Sequence, residues 1–272
     1  YDGTTMEVLK KGVGHFKNSP FFDGNVCFAA HNSNKYWAKL HTLQKGDKIF
    51  YTSLYGKRNY EVSNIVKIED TDWSYLNNKK ENVLKNYDII CNAIGVKAEN
   101  TVWTRQVHTD NILRVTAEDR GKGLFKERQE DGYDAIMTNE KDVVLVGFSA
   151  DCVLIYFYDK VKNAIAIAHS GWRGTVLGIG GKVVKRMKEE FGSNPEDIVC
   201  GIAPAIGVDH FQVDIPVVTA FRQAYDWADK FIYPDKNMAE RWFIDLHSIN
   251  EEILVNAGIK RENIENSRIC TQ

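Results

Sequence analysis

Apolar residues follow two different rhythms along this chain. In the first 80 residues they form short β-branched and aromatic runs: Asn25 to Ala30 (NVCFAA), Lys48 to Leu54 (KIFYTSL) and Tyr60 to Ile68 (YEVSNIVKI). Gly56 and Lys57 are placed to turn a hairpin between the last two, and Asp70 to Lys80 reads as a polar loop. From Glu81 the spacing becomes helical, with Val83, Leu84, Tyr87, Ile90, Cys91 and Ile94 on one stripe and Gly95 as a stop. Strands and helices then alternate. Val143 to Phe148, Val153 to Tyr158, Ala164 to Ala168 and Ile198 to Ile202 are short apolar runs that predict buried strands. Thr175 to Phe191, Pro216 to Lys230 and Leu246 to Ala257 predict helices, the first closed by Gly192 and the last by Gly258. The expected fold class is mixed α/β around a buried sheet, preceded by a β segment.

Composition narrows the classes of function. The 272 residues are 43% hydrophobic, enough for one large domain or two small ones. The net charge of -2 is split, with a balance of +4 over residues 1–80 and -6 over the rest, which suggests two units. Neither value calls for nucleic acid or an anionic membrane as partner. No apolar run reaches the ~18 residues of a membrane span, and the N-terminal residues lack an apolar signal core. The five cysteines are odd in number and widely spaced, which argues for a reducing, cytoplasmic setting over a disulfide framework.

Three metal-binding side chains stand at predicted strand ends: His108 in RQVHTDN, Cys152 in SADC, and His169 closing AIAIAH. One Cys and two His suit zinc, and three protein ligands leave a fourth tetrahedral position open, as catalytic sites do. By spacing alone the trio carries no motif. A Cys in an apolar run is also a small hydrophobe, and a His at a strand end is also a structural hydrogen-bond donor. Arg173, in GWRG beside His169, could clamp a phosphate or carboxylate or be an ordinary surface cation. Asp151 could accept from a ligand His or cap a turn. A multicopper cluster needs many imidazoles, and the seven His here include no His-X-His pair. A single blue-copper centre would need an axial ligand such as Met137, the one Met between the first and last ligand. Copper therefore ranks below zinc.

Five blocks, RQVHTDN, FSADCVLIYFYD, AIAIAHSGWRGT, GIAPAIGVDHFQV and FIDLHSINEEILVNAGI, occur in the order and spacing of a known family. Residues 81–272 resemble the laccase-domain family of purine nucleoside phosphorylases, also called multicopper polyphenol oxidase-like or peptidoglycan editing factor. The resemblance implies a zinc enzyme with His108, Cys152 and His169 as ligands. It implies phosphorolysis of adenosine, inosine, guanosine and methylthioadenosine, and deamination of adenosine, with purine nucleoside and phosphate as partners. Arg173 is the expected substrate-binding and catalytic cation. The family's Gly-rich opening block, with an Arg and an Asn of the nucleoside pocket, has no counterpart here. The strand that follows the match at Cys270–Thr271 is absent too, so the laccase-domain fold is expected to be truncated at both ends.

The first 80 residues resemble something else. GVGHFKNSPFFDGNVCFAAHN, GDKIFYTSLYGKRNYEV and IEDTDWSYL are similar to the region around the catalytic His of sortases, which would be His31. Residues 1–80 are thus expected to form a partial sortase-like β-barrel, with a seam within NNKKENVLKN as in a recombined or mis-joined gene and a mobile joint near Asn77–Lys80. A sortase-type cysteine transpeptidase would also need Cys91 as nucleophile with Arg105, but NYDIICNAIG reads as a helix with Cys91 in its core stripe. A third alternative is a zinc-stabilised binding module without catalysis. If the laccase-like reading holds, His108, Cys152 and His169 converge and His31 stands apart.

Overall fold

The computed structural model describes residues 14–15, 28–29, 42–53, 56–63, 80–128 and 131–272. The chain divides into two compact units, 1–86 and 87–272. In the first unit, Gly14–His15 pairs antiparallel with Phe28–Ala29, and Lys48–Ser53 with Gly56–Glu61. The second ladder is the expected hairpin, but Gly56 opposes Ser53 and so opens the returning strand. Of the expected partial barrel, the described residues of this unit show these two separate ladders. His31 and residues 77–79 lie outside the described residues, whereas Lys80 already belongs to helix α1, Lys80–Ala93. On that helix Cys91 is buried, while Ile90 and Ile94, expected on the core stripe, are exposed.

The second unit is built on one six-stranded sheet. Its strands are β1 (Ile112–Arg114), β2 (Ala135–Thr138), β3 (Val153–Asp159), β4 (Ala164–Ser170), β5 (Ile198–Ile202) and β6 (Ile264–Asn266). They lie in the order β6-β5-β3-β4-β2-β1. The outer pairs β5–β6 and β1–β2 are parallel, and the three inner pairs are antiparallel. Val144–Leu145 does not join this sheet. It pairs with Thr101–Val102 in a two-stranded parallel ladder, so the run 143–148 is a shorter strand than its apolar length suggests.

Four helices follow in this unit: α2 (Trp172–Val176), α3 (Ile179–Phe191), α4 (Ile215–Ala224) and α5 (Leu246–Asn256). The single helix expected over 175–191 is broken because Gly178 takes a left-handed conformation, φ 71°, which glycine adopts without a Cβ penalty. Past that break, Ile179, Val183, Val184 and Met187 form a buried stripe at helical spacing. Gly192 ends α3 with φ 67° and an N–H bond to Lys188. Asp245 caps α5 by accepting the Ser248 N–H. The helix expected over 216–230 stops at Ala224, and a 3₁₀ turn, Ala228–Phe231, follows.

Alternation along the strands sorts the core. Ala135, Met137, Val153, Ile155, Phe157, Ala166 and Ala168 join the α3 and α5 side chains in the main cluster. Ile136 and Ile167, of opposite parity, pack with Val102, Val115 and Val143 in a smaller cluster. On β3 the same parity carries Tyr156 and Tyr158, 49% and 46% exposed. The expectation of strands buried on both faces thus fails at β3, where only the helix side is covered. Among the described residues no helix is long and apolar enough to cross a membrane.

Candidate metal centre

The pairing of the inner strands brings distant residues to one end of the sheet. Ser170 opposes Val153 and Ala168 opposes Ala135, so the end of β4 lies beside the starts of β3 and β2. His169 is the penultimate residue of β4, Cys152 immediately precedes β3, and Asp134 immediately precedes β2. His108 sits in the loop before β1, which starts level with β2 because Ile112 opposes Ala135.

The three expected ligands do converge. The donor atoms of His108, Cys152 and His169 all lie within 4.8 Å of one another. Cys152 Sγ is 3.8 Å from His108 Nε2, and the two imidazoles meet edge to face with centroids 4.8 Å apart. A tetrahedral zinc would set a sulfur and a nitrogen ligand about 3.6 Å apart. The Cys152–His108 gap is close to that value, and the widest gap needs to close by about 1 Å. The space between them depends on Gly171: a Cβ there would stand 2.9 Å from Cys152 Sγ and 3.0 Å from His108 Cδ2. A soft sulfur, two imidazoles and a cradle kept free of side chains fit a single zinc-sized ion.

The buried carboxylate of Asp134 organises the site, and no local pattern in the sequence singles it out. Its Oδ1 accepts from the His169 Nδ1 at 2.8 Å and from the His108 N–H at 2.9 Å. Its Oδ2 accepts from the Thr109 N–H at 2.8 Å and the Thr109 hydroxyl at 2.9 Å. With Nδ1 engaged, His169 is left with Nε2 as its metal-binding nitrogen. His108 holds a left-handed conformation, φ 62°, rare for a residue with a Cβ. The cost, about 1–3 kcal/mol, is offset by the bonds from loop 107–109 to Asp134.

Electrostatics follow from these contacts. Burial pushes the Asp134 pKa up, but hydrogen bonds from His169, Thr109 and His108 outweigh it and hold the carboxyl down at about 2. Burial pulls His169 down, yet hydrogen bonds with Asp134 and Cys152 raise it to about 9. His108 is lowered by burial and by the neighbouring His169, against a pull from Asp134, with Arg173 adding to the shift.

Other residues brace the ligands. The Gln106 amide donates to the Phe148 carbonyl at 2.7 Å and accepts its N–H at 2.8 Å, tying the His108 loop to the segment before Cys152. Behind His169, Ser170, Thr175 and Asn250 form a fully buried network that joins β4, α2 and α5. Arg173 is exposed on α2, its guanidinium 4.3 Å from the Trp172 ring centroid. Asp151 does not serve a ligand His. Its carboxylate accepts from Thr271 Oγ1 at 2.7 Å and Gln272 Nε2 at 2.6 Å. Met137, considered as an axial copper ligand, is fully buried in the main core. Cys91 is also buried, and burial, Asp88 and Glu99 push its thiol up, an unfavourable setting for a nucleophile.

Known proteins share this architecture. Residues 58–272 match the family model described as multi-copper polyphenol oxidoreductase laccase, and residues 1–102 match a sortase domain model. The chain is 36% identical over 199 residues to "Purine nucleoside phosphorylase YlmD" of Bacillus subtilis, covering 73% of this chain and 71% of that one. It is 31% identical over 182 residues to "Adenosine deaminase RL5" of an unknown prokaryotic organism, covering 66% and 68%. Among solved structures, the Bacillus licheniformis protein YfiH superposes with a TM-score of 0.68 at 34% identity, covering 71% of this chain and 73% of that one. The match to more than half of its length, on a sheet that carries the His-Cys-His cluster, means that this chain belongs to the multi-copper polyphenol oxidoreductase laccase family.

Proposed function

We propose that residues 81–272 form a zinc-dependent purine nucleoside phosphorylase acting on adenosine, inosine, guanosine and methylthioadenosine, with adenosine deamination as a second activity. The observation that carries this reading is the cluster of His108, Cys152 and His169 with Asp134 behind it. Three neutral-nitrogen and sulfur donors with one side open are the donor set of a catalytic rather than a structural zinc. Among the described residues this is the one such cluster, which favours a single ion over a multicopper centre. The relatives named as purine nucleoside phosphorylase and adenosine deaminase support the substrate class. The sortase-domain match at 1–102 supports a boundary near residue 80 between a sortase-like segment and the laccase domain.

In phosphorolysis the glycosidic C–N bond breaks and a phosphate oxygen bonds to the ribose C1′. Zinc, when bound, would supply Lewis-acid polarisation of an oxygen on phosphate or nucleoside. The chain's own residues do the rest. Asp134 fixes the His169 ring and the His108 loop, so the ligands are set before substrate arrives. Arg173, exposed on the short helix after His169, offers a guanidinium fork suited to phosphate.

The test is turnover of inosine with phosphate, read as ribose 1-phosphate and free base, together with the metal content of the protein. Loss of both in Cys152→Ala, and a raised KM for phosphate in Arg173→Lys, are the expected results. Unchanged turnover and metal content in Cys152→Ala would sink the assignment. No turnover with any nucleoside, alongside a melting temperature that chelation lowers, would leave the non-catalytic zinc module. A thioester at Cys91 with a sorting peptide would revive the transpeptidase.

A further inference from the structure

A second reactive pair lies outside the metal cluster. Cys270 Sγ is 3.2 Å from His210 Nδ1. Two backbone N–H groups point at the same sulfur, from Gly207 at 3.2 Å and from Gln272 at 3.4 Å. Gly207 makes the approach feasible, because a Cβ there would stand 3.1 Å from both the Cβ and the Sγ of Cys270. The backbone around the sulfur is held on both sides. Ala205 N–H bonds to the Ile269 carbonyl and Thr271 N–H to the Ala205 carbonyl, each at 3.1 Å. A sulfur is a weak acceptor, so three polar hydrogen-bonding groups fixed around one is a specific environment.

The other described cysteines lack it. Cys91 and Cys200 are buried, and burial pushes the Cys200 thiol up to about 12. Cys152 is one of the three clustered ligands. Cys270 is half-buried beside an exposed His210, so solvent reaches the pair. A nucleophile and a base within hydrogen-bond reach, with donors to receive charge on the sulfur, form the arrangement used by activated thiols.

We propose that Cys270 is a reactive thiol that His210 activates for exchange with small-molecule disulfides, giving a mixed disulfide at this position. His210, as the Nε2–H tautomer, takes the thiol proton on Nδ1 while Sγ attacks one sulfur of the incoming disulfide. The Cys270 S–S bond forms and the original S–S bond breaks. The departing thiolate recovers the proton from His210 and leaves as a thiol. Cys270 is oxidised and the leaving sulfur is reduced, so no other oxidant is needed. The N–H groups of Gly207 and Gln272 hold the developing negative charge.

The full chain, with one equivalent of zinc, is incubated with oxidised glutathione and the adducts are mapped by mass spectrometry. Cys270 is expected to be thiolated before any other cysteine. His210→Gln is expected to slow that reaction by about tenfold or more, with its melting temperature unchanged. Cys270→Ser is expected to abolish the fast adduct. Thiolation of Cys270 no faster in the native than in the unfolded chain, an unaltered rate in His210→Gln, or a fast adduct that persists in Cys270→Ser, would each overturn the proposal.

Discussion

Asp134 and His169, 35 residues apart in the chain, are joined by a 2.8 Å hydrogen bond from the imidazole Nδ1 to the carboxylate Oδ1. The same carboxylate accepts the His108 N–H, so two of the three clustered ligands depend on one buried group. Asp134→Asn keeps the shape but loses the charge and part of the acceptor capacity. Metal affinity is expected to fall by about 10–100-fold, measured by competition with a coloured chelator. An affinity equal to wild type would show that the ligands are oriented without it.

Gly171 has an ordinary φ of -60°, so alanine fits the backbone there. The obstacle is steric, since the new Cβ would meet Cys152 Sγ and His108 Cδ2 at 2.9 and 3.0 Å. Gly171→Ala is therefore expected to weaken metal binding while leaving the melting temperature of the metal-free chain nearly unchanged. A large loss of metal-free stability with normal metal affinity would contradict this separation.

Asn250 accepts from Ser170 Oγ at 2.7 Å and donates to Thr175 Oγ1 at 3.1 Å, all inside the core. Asn250→Leu would leave hydroxyls buried without partners. The expected loss is about 1–3 kcal/mol, seen as a lower urea midpoint with an unchanged slope. An unaltered midpoint would mean that the network rearranges at no cost.

Asp159 closes the turn between β3 and β4, its Oδ1 accepting the N–H groups of Val161 and Lys162 at 2.8 and 3.0 Å. Burial pushes its pKa up, but the Ser193 hydroxyl and these two N–H groups outweigh burial and leave it below 3.8. A depressed carboxyl contributes stability that is full above its unfolded pKa and lost as pH falls through the folded value. Unfolding scans between about pH 5 and pH 2 should show a steeper acid loss in the wild type than in Asp159→Asn. Parallel curves for the two proteins would remove Asp159 as a source of acid sensitivity.

The central strands could be read from the residues because β3, β4 and β5 are apolar runs long enough to mark themselves. β1 and β6 could not, since three residues such as Ile264–Asn266, with Glu265 inside, carry no period. The break at Gly178 was visible as a glycine, but nothing local distinguishes a glycine that ends a helix from those that α3 tolerates at Gly180 and Gly181. At the candidate site the clustered ligands were legible and their orienting carboxylate was not. Asp151 was considered because it adjoins Cys152, yet successive side chains entering a strand point to opposite sides. The carboxylate that reaches the imidazole comes instead from the residue before β2, brought there by strand pairing. His108 is also illegible as a strained position, because a left-handed His is defined only by the bonds that hold it.

The β3–β4 hairpin sets a limit on how this protein can change. Leu154 opposes His169 and Val153 opposes Ser170, so the sulfur and one imidazole are carried by the two arms of a single hairpin, 17 residues apart. Side chains alternate along each arm, so deleting or inserting one residue within 164–168 would turn His169 away and bring Ser170 or Ala168 to its place. Substitutions in the hairpin can be absorbed one at a time, but a change of length within an arm cannot. Only the turn at 160–163 is free to lengthen, which places the tolerance for insertions at the end of the sheet remote from the metal cluster.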